Sequence, residues 1–336
     1  MILNGKQIAS ATRGANRVVE GEDGFRFFRF SEDEERAYQG TKFEGKTASP
    51  AGVELVFHTD AAAVTLSVFV EKATTRGYFA FDVFSDGAYV GSLKNFEDGS
   101  LLCGYAGKTR PMGEFEQRFA LGEGQKQVRV VLPWSVFVTV HRIELEDATA
   151  FEPVEAPAKK LLLYGDSITH GYDALHPSGS YAARLTSALG CEGFNKAIGG
   201  EMFRPALGEA DSGVKADIVT VAYGTNDWNK LDADTFRANC RGFLSALCER
   251  QRDARIFVIT PIWRSDEDEP PRPFGPFADV ERIMREVCAD LPVTVIRGYD
   301  FLPHDIATFG DTKLHPNLNG FDFYFHSLLS EIQKYI

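Results

Sequence analysis

No dense run of lysine or arginine occurs anywhere in the chain, and its formal net charge is −12. Nucleic acids and anionic membranes are bound by neutralising their charge with basic groups. Neither is expected as a partner, and a neutral or weakly charged small-molecule ligand is. No window holds 18 consecutive apolar residues, so no transmembrane helix is expected. The opening stretch MILNGKQIASATRGANRVVEGEDG has no apolar run behind a basic start and makes a poor secretory signal. Five cysteines (Cys103, Cys191, Cys240, Cys248, Cys288) are scattered, odd in number and free of CxxC spacing. That pattern fits buried, reduced thiols and a cytoplasmic location rather than a disulfide framework. There is no H-E-x-x-H, no P-loop and no G-x-G-x-x-G behind a strand, so no metal and no cofactor is expected.

What the chain does have is apolar material, 44% of 336 residues, enough for two cored domains. The first half is rich in period-two alternation. Val64, Leu66 and Val68 alternate with Thr65 and Ser67, and Phe79, Phe81 and Val83 alternate within YFAFDVF. Ser85-Asp86-Gly87 then supplies a turn before AYVGSL. Such alternation marks half-buried antiparallel strands, and Asp-Gly suits a tight hairpin. Residues 1–151 are therefore predicted to form an all-β sandwich of jelly-roll kind. The segment 152–159, with Pro153 and Pro157, reads as a linker.

From 160 to 336 the pattern changes to alternating strands and helices. LLLY (161–164) and ADIVTVAY are continuous apolar runs, as expected of strands covered on both faces. Helices are predicted in SYAARLTSAL, DADTFRANCRGFLSALCER, FADVERIMREVCADL and the C-terminal stretch. This order predicts a three-layer α/β domain on a parallel sheet, whose ligands sit beyond the carboxyl ends of the strands. The acidic run 265–269, followed by PPRP, reads as a solvated loop, or else as a flap over the site.

Four short segments fall at those strand ends. Ser167 stands in Gly165-Asp166-Ser167-Ile168-Thr169, at a strand-to-helix turn that exposes a hydroxyl and favours negative charge; a plain helix cap is the alternative. Gly200 closes Asn195-Lys196-Ala197-Ile198-Gly199-Gly200, where a glycine lets backbone N–H approach a ligand. Asn226 in Gly224-Thr225-Asn226-Asp227 could donate its side-chain amide, or make an ordinary Asx-turn. His315 in Asp311-Thr312-Lys313-Leu314-His315-Pro316-Asn317 has a carboxylate just upstream, the base-and-orienter pairing of serine hydrolases. No G-x-S-x-G elbow surrounds Ser167, which disfavours an α/β-hydrolase. His170, His176, Trp228 and Trp263 are weaker candidates, for pocket lining or for solvent and core positions respectively.

GDSITHGY, NKAIGG, GTND and LHPN, in that order, resemble the four blocks of the SGNH (GDSL-type) hydrolase superfamily. The likeness covers residue 160 to the C-terminus, and the β-rich half is similar to the sandwich domain of some bacterial carbohydrate esterases. The resemblance implies a flavodoxin-like catalytic domain and a serine esterase without cofactor. Ser167 would be nucleophile and His315 its base, with the Ser167 N–H, the Gly200 N–H and the Asn226 amide as oxyanion hole. The family places its aspartate three residues before the histidine; here that position is Thr312, and Asp311 stands four before. Asp311 as orienter, a Ser–His dyad, and Asp305 or Asp300 as substitutes all stay open. An O-acetylated carbohydrate is the expected substrate, with lipid acyl esters or thioesters as the rival within that chemistry. A glycan-binding module with a vestigial hydrolase half is the rival of another class. The β-rich half could also serve oligomerisation, leaving a homo-oligomer open.

Overall fold

A computed structural model of the chain describes residues 1–97, 99, 109–269 and 272–336. Two compact units emerge, residues 1–29, 46–158 and 175–178 in one, residues 30–45, 159–174 and 179–336 in the other. The boundaries differ from the sequence-based division at two places. Residues 30–45 fold with the second unit, and 175–178 with the first. Sequence patterning sees neither exchange, because both are set by long-range contacts.

The first unit begins with helix α1 (Gly5–Ala11), closed by a capping box between Asn4 and Gln7. Its strands are β1 (Thr12–Arg13), β2 (Arg17–Gly21), β3 (Gly24–Phe28), β4 (Glu54–Thr59), β5 (Ala63–Lys72) and β6 (Ala80–Ser85). They continue with β7 (Ala88–Lys94), β8 (Gly113–Ala120), β9 (Lys126–Val131), β10 (Val136–Glu146) and β11 (Phe151–Pro153). One antiparallel sheet runs β1-β4-β9-β6-β7 with β11 also on β4; the other runs β2-β3-β10-β5-β8. Both sheets send alternate residues into one core. Leu66 and Val68 of β5 meet Phe57 of β4, Phe81 of β6 and Val130 of β9 there. The expected hairpin joins β6 to β7: Ser85 pairs with Ala88, leaving Asp86 (φ 47°) and Gly87 (φ 80°) as its two-residue turn. Strand β11 occupies the start of the expected linker, with Pro153 on β4. His176 belongs to this unit and is half-buried, its Nδ1 2.8 Å from the buried Asp82 carboxylate.

The second unit is built on five parallel strands: β12 (Lys160–Gly165), β13 (Glu192–Asn195), β14 (Ile218–Ala222), β15 (Arg255–Ile259) and β16 (Val293–Ile296). Their order β13-β12-β14-β15-β16 is flavodoxin-like, with the switch point at β12. Its helices are α2 (Glu32–Ala37), α3 (Ser167–His170), α4 (Tyr181–Ala188), α5 (Pro205–Glu209), α6 (Thr225–Lys230), α7 (Ala233–Arg250), α8 (Ala278–Cys288) and α9 (Leu318–Ile332). The apolar run in β12 is explained by two covered faces. Leu162 and Tyr164 join the core under α7 and α8, while Leu161 and Leu163 join the one under α4 and α9.

Residues 30–45 pack Phe30, Tyr38 and Phe43 into the first of those cores. The Glu34 carboxylate there meets Lys196 Nζ at 2.6 Å and the Tyr164 hydroxyl at 3.0 Å, all of them buried. Cys191, Cys240, Cys248 and Cys288 are buried and free, while Cys103 lies outside the described residues. Among the described residues no helix is long and apolar enough to cross a membrane. The acidic run is a loop exposed at Ser265, Asp268 and Glu269, as expected, but Asp266 is buried and Glu267 accepts a bond from the Tyr299 hydroxyl at 2.6 Å. Pro270 and Pro271 lie outside the described residues.

Candidate active site

Strand β12 ends at Gly165, where a Cβ would lie 2.1 Å from the Thr169 hydroxyl, so the turn into α3 admits only glycine. Asp166 caps α3 by accepting from the Ile168 amide at 3.0 Å. The cap is therefore the aspartate, and Ser167 is the first helical residue, its hydroxyl available for other work. That hydroxyl lies 2.8 Å from His315 Nε2.

His315 is held by the loop that precedes α9. Its Nδ1 is 2.5 Å from Asp311 Oδ2. Asp311 Oδ1 accepts from the amides of Lys313, Leu314 and His315 at 3.0, 2.8 and 3.0 Å. Thr312 makes this wrap with φ 58°, in the left-handed region, which absorbs the extra residue between carboxylate and imidazole. Burial opposes the Asp311 charge, but the imidazole and the amides outweigh it and hold the carboxyl well below the usual carboxylate range. The other two aspartates are engaged elsewhere: Asp300 pairs with Arg297 at 2.8 Å, and Asp305 accepts from the Ala307 amide at 2.9 Å. The Tyr172 ring stacks on the imidazole at 5.4 Å.

Gly200 and Asn226 follow β13 and β14, the two neighbours of β12. Gly200 has φ 85°, left-handed backbone that favours glycine, and its carbonyl accepts from Lys230 Nζ at 3.2 Å. Asn226 Nδ2 donates to the Glu201 carbonyl at 3.1 Å, using one of its two hydrogens. The blocks are stitched together by backbone bonds. Gly199 N donates to His170 Nδ1 at 3.2 Å and Ile198 N to the Gly165 carbonyl at 3.3 Å. Burial pushes the Asp166 carboxyl up to about 6 and the Asp227 carboxyl up to about 7.

Sequence reasoning missed Tyr172, Lys230 and Asp173. Tyr172 closes the GDSITHGY block and Lys230 carries no motif, and the role of each is recognisable only through the partner it meets. Asp173 is buried, at φ 68°, and a carboxylate oxygen lies within 4.8 Å of ligating atoms of Asp311 and His315. Both imidazole nitrogens are already engaged by Ser167 and Asp311, so this trio offers no free nitrogen to a metal. His170 is buried beside Gly199 rather than exposed. Trp228 is buried, its Nε1 donating to the Gly275 carbonyl at 2.9 Å, while Trp263 stacks on His304 at 5.1 Å. The oxyanion role expected of Asn226 predicts that Asn226→Ala lowers kcat by roughly 10²–10³ with KM little changed. Steady-state kinetics on a p-nitrophenyl ester reads this directly.

Residues 163–323 match the model of the GDSL-like lipase/acylhydrolase family. No curated protein matches the chain. Among solved structures it is similar to the salicylyl-acyltransferase SsfX3 from a tetracycline biosynthetic pathway, at 20% identity over 96% of this chain and 94% of that one, with a TM-score of 0.79. It is also similar to a protein described as a GDSL-like lipase from Bacteroides ovatus ATCC 8483, at 18% identity, covering 99% and 97%, TM-score 0.78. A family two carbohydrate esterase from Clostridium thermocellum, solved with cellohexaose, aligns at 16% identity, covering 96% and 98%, TM-score 0.69. At these identities the likeness is one of fold, and it covers nearly the whole chain. The match over residues 163–323, on the half of the chain that carries Ser167 and His315, supports an ester hydrolase of the GDSL-like lipase/acylhydrolase kind.

Proposed function

We propose that the protein removes small acyl groups, acetyl above all, from esterified carbohydrates through an acyl-enzyme on Ser167. The observation that carries this reading is the unbroken relay from Asp311 Oδ2 to His315 Nδ1 at 2.5 Å and from His315 Nε2 to Ser167 Oγ at 2.8 Å. A serine hydroxyl is a weak nucleophile until a base takes its proton. In this reading His315 Nε2 takes that proton as Oγ bonds to the ester carbon. The Asp311 carboxylate keeps the other nitrogen protonated and the ring in plane. The tetrahedral oxygen is received by the N–H groups of Ser167 and Gly200 and by Asn226 Nδ2. Collapse breaks the carbon–oxygen bond to the alcohol, which leaves with the proton from His315. Water then repeats the sequence on the acyl-serine and releases the acid.

The substrate class rests on two supports. The exposed Lys230 ammonium, 3.2 Å from the Gly200 carbonyl, sets a polar group next to the proposed oxyanion hole, which suits a hydroxylated substrate better than an alkyl chain. The fold is shared with the carbohydrate esterase solved with cellohexaose and, at a TM-score of 0.55, with an acetyl xylan esterase from Butyrivibrio proteoclasticus. The test compares p-nitrophenyl acetate with the octanoate, and measures acetate released from acetylated xylo-oligosaccharides. We expect kcat/KM on acetate to exceed that on octanoate by about tenfold or more, as this reading requires of a site that takes short acyl groups. A preference for octanoate would replace the carbohydrate reading with a lipid or thioester one.

A second reading, acyl transfer to an alcohol other than water, is favoured by the likeness to SsfX3. It predicts that added sugar alcohols divert the acyl group into new esters, visible by mass spectrometry. Under the hydrolytic reading free acid remains the product.

A further inference from the structure

Residues 264–266, leaving the sheet after β15, join two parts of the catalytic site that lie far apart in sequence. Arg264 and Asp266 are each 2% exposed and form a two-pronged ion pair, Nε on Oδ1 and Nη2 on Oδ2, the latter at 2.9 Å. The third guanidinium nitrogen, Nη1, donates to the Thr225 carbonyl at 3.1 Å and to its hydroxyl at 2.9 Å. Thr225 opens α6 and immediately precedes Asn226. Trp228 of the same helix lies beneath the guanidinium, its ring centroid 4.9 Å away.

On the other side the same three residues grip the histidine loop. Ser265 N donates to the Lys313 carbonyl at 3.0 Å, and its hydroxyl to the Thr312 carbonyl at 3.1 Å. The Lys313 ammonium meets Asp266 Oδ2 at 2.8 Å. Thr312 and Lys313 are the residues around which Asp311 wraps to hold His315. The ion pair therefore stands between the amide donor and the base, touching the supports of each.

We propose that Arg264 and Asp266 are positioning residues for ester hydrolysis, fixing the Asn226 amide and the His315 imidazole at the separation one acyl carbonyl requires. The proposal rests on the catalytic reading of Ser167, His315 and Asn226 given above. Its physical ground is that a buried ion pair is commonly no more stable than apolar residues of similar volume, so stability alone gives it little reason to be there. A planar guanidinium, in contrast, offers donors in fixed directions, two to a carboxylate and one to a neighbour. Catalytic groups must be held within about half an ångström of productive geometry by such supports. Neither residue touches Ser167; both act through the segments they hold.

The decisive variant is the double replacement Arg264→Met/Asp266→Leu, which removes both charges together and leaves neither buried alone. We expect it to fold with a near-native melting temperature, and to lose about 10- to 100-fold in kcat with KM within about threefold, the scale of an ångström's misplacement. Placed on Asn226→Ala, the same double replacement should cost far less, because the donor it positions is gone. Lys313→Met and Ser265→Ala cut the histidine-loop side from the surface and fold whatever the buried pair does. Each should lower kcat by about threefold or more at unchanged KM, since a misplaced base acts on the transition state. A folded double variant with kcat within twofold of wild type overturns the proposal, as do wild-type kcat values in both surface variants. Turnover that survives Ser167→Ala in the same assay would remove the catalytic reading and this proposal with it. Loss of turnover in Ser167→Ala alongside an unimpaired double variant would remove the proposal alone.

Discussion

Ser167→Ala is expected to lower kcat on p-nitrophenyl acetate by roughly 10⁶-fold while leaving the fold intact, the scale found when a hydrolase nucleophile is deleted. The variant loses one oxygen whose partner is His315 Nε2. The α3 cap belongs to Asp166 and is untouched, and Gly165 still makes the turn, so helix and strand end should keep their places. His315→Ala should fall to about the same residual rate, and the double variant no lower, because nucleophile and base act as one unit. The remaining activity, about 10³-fold over water, would come from the oxyanion donors and binding. A double variant much slower than either single one would mean that the two groups work independently. Circular dichroism and melting temperature on the same preparations separate chemistry from unfolding.

Asp311→Asn carries the next largest effect, a loss of about 10⁴-fold in kcat at neutral pH, as in triads where aspartate becomes asparagine. Asparagine keeps an oxygen for the amides of Lys313, Leu314 and His315, so the wrap around Thr312 survives. At the other end it puts an N–H₂ where a carboxylate met His315 Nδ1, and two donors then face each other unless the ring changes tautomer. The proton then sits on Nε2, where it cannot accept from Ser167. The same substitution has a signature in stability. The folded state holds the Asp311 carboxyl below its unfolded value, so the carboxylate stabilises the fold above about pH 4 and loses that contribution as pH falls further. Wild type should therefore lose more melting temperature between pH 5 and pH 3 than Asp311→Asn does. Equal losses would show that Asp311 is not ionised and paired as the relay requires. A decrease in kcat of less than tenfold would instead favour a Ser–His dyad.

Much of the second unit was legible in the chain because its signals are local. The double-faced run in β12 and ADIVTVAY announced a parallel sheet, and the rule that ligands gather at strand ends singled out the four blocks before any contact was known. The β6–β7 hairpin was written in Asp86-Gly87, residues that accept left-handed backbone. The position of Asp311 was not legible, since four-residue spacing reaches the imidazole only because Thr312 turns left-handed. The placement of 30–45 escaped for a different reason. Glu34 looks like any residue of an acidic, exposed helix until Lys196 and Tyr164, more than 100 positions away, bury and pair it. Asp266 likewise stood in an acidic run that reads as solvated, and only its pairing with Arg264, Arg272 and Lys313 shows why it is inside. Local propensity points to turns and strand ends; pairing across the fold decides which charges are buried.

The most direct measurement is covalent trapping of the nucleophile with a fluorophosphonate, followed by mass spectrometry of the tryptic digest. A single adduct is predicted on the peptide spanning 161–184, at Ser167, formed in step with the loss of esterase activity, slowed in His315→Ala and absent in Ser167→Ala. Inactivation with the label on another residue, or an unlabelled Ser167 in enzyme that has lost its activity to the reagent, would contradict the account.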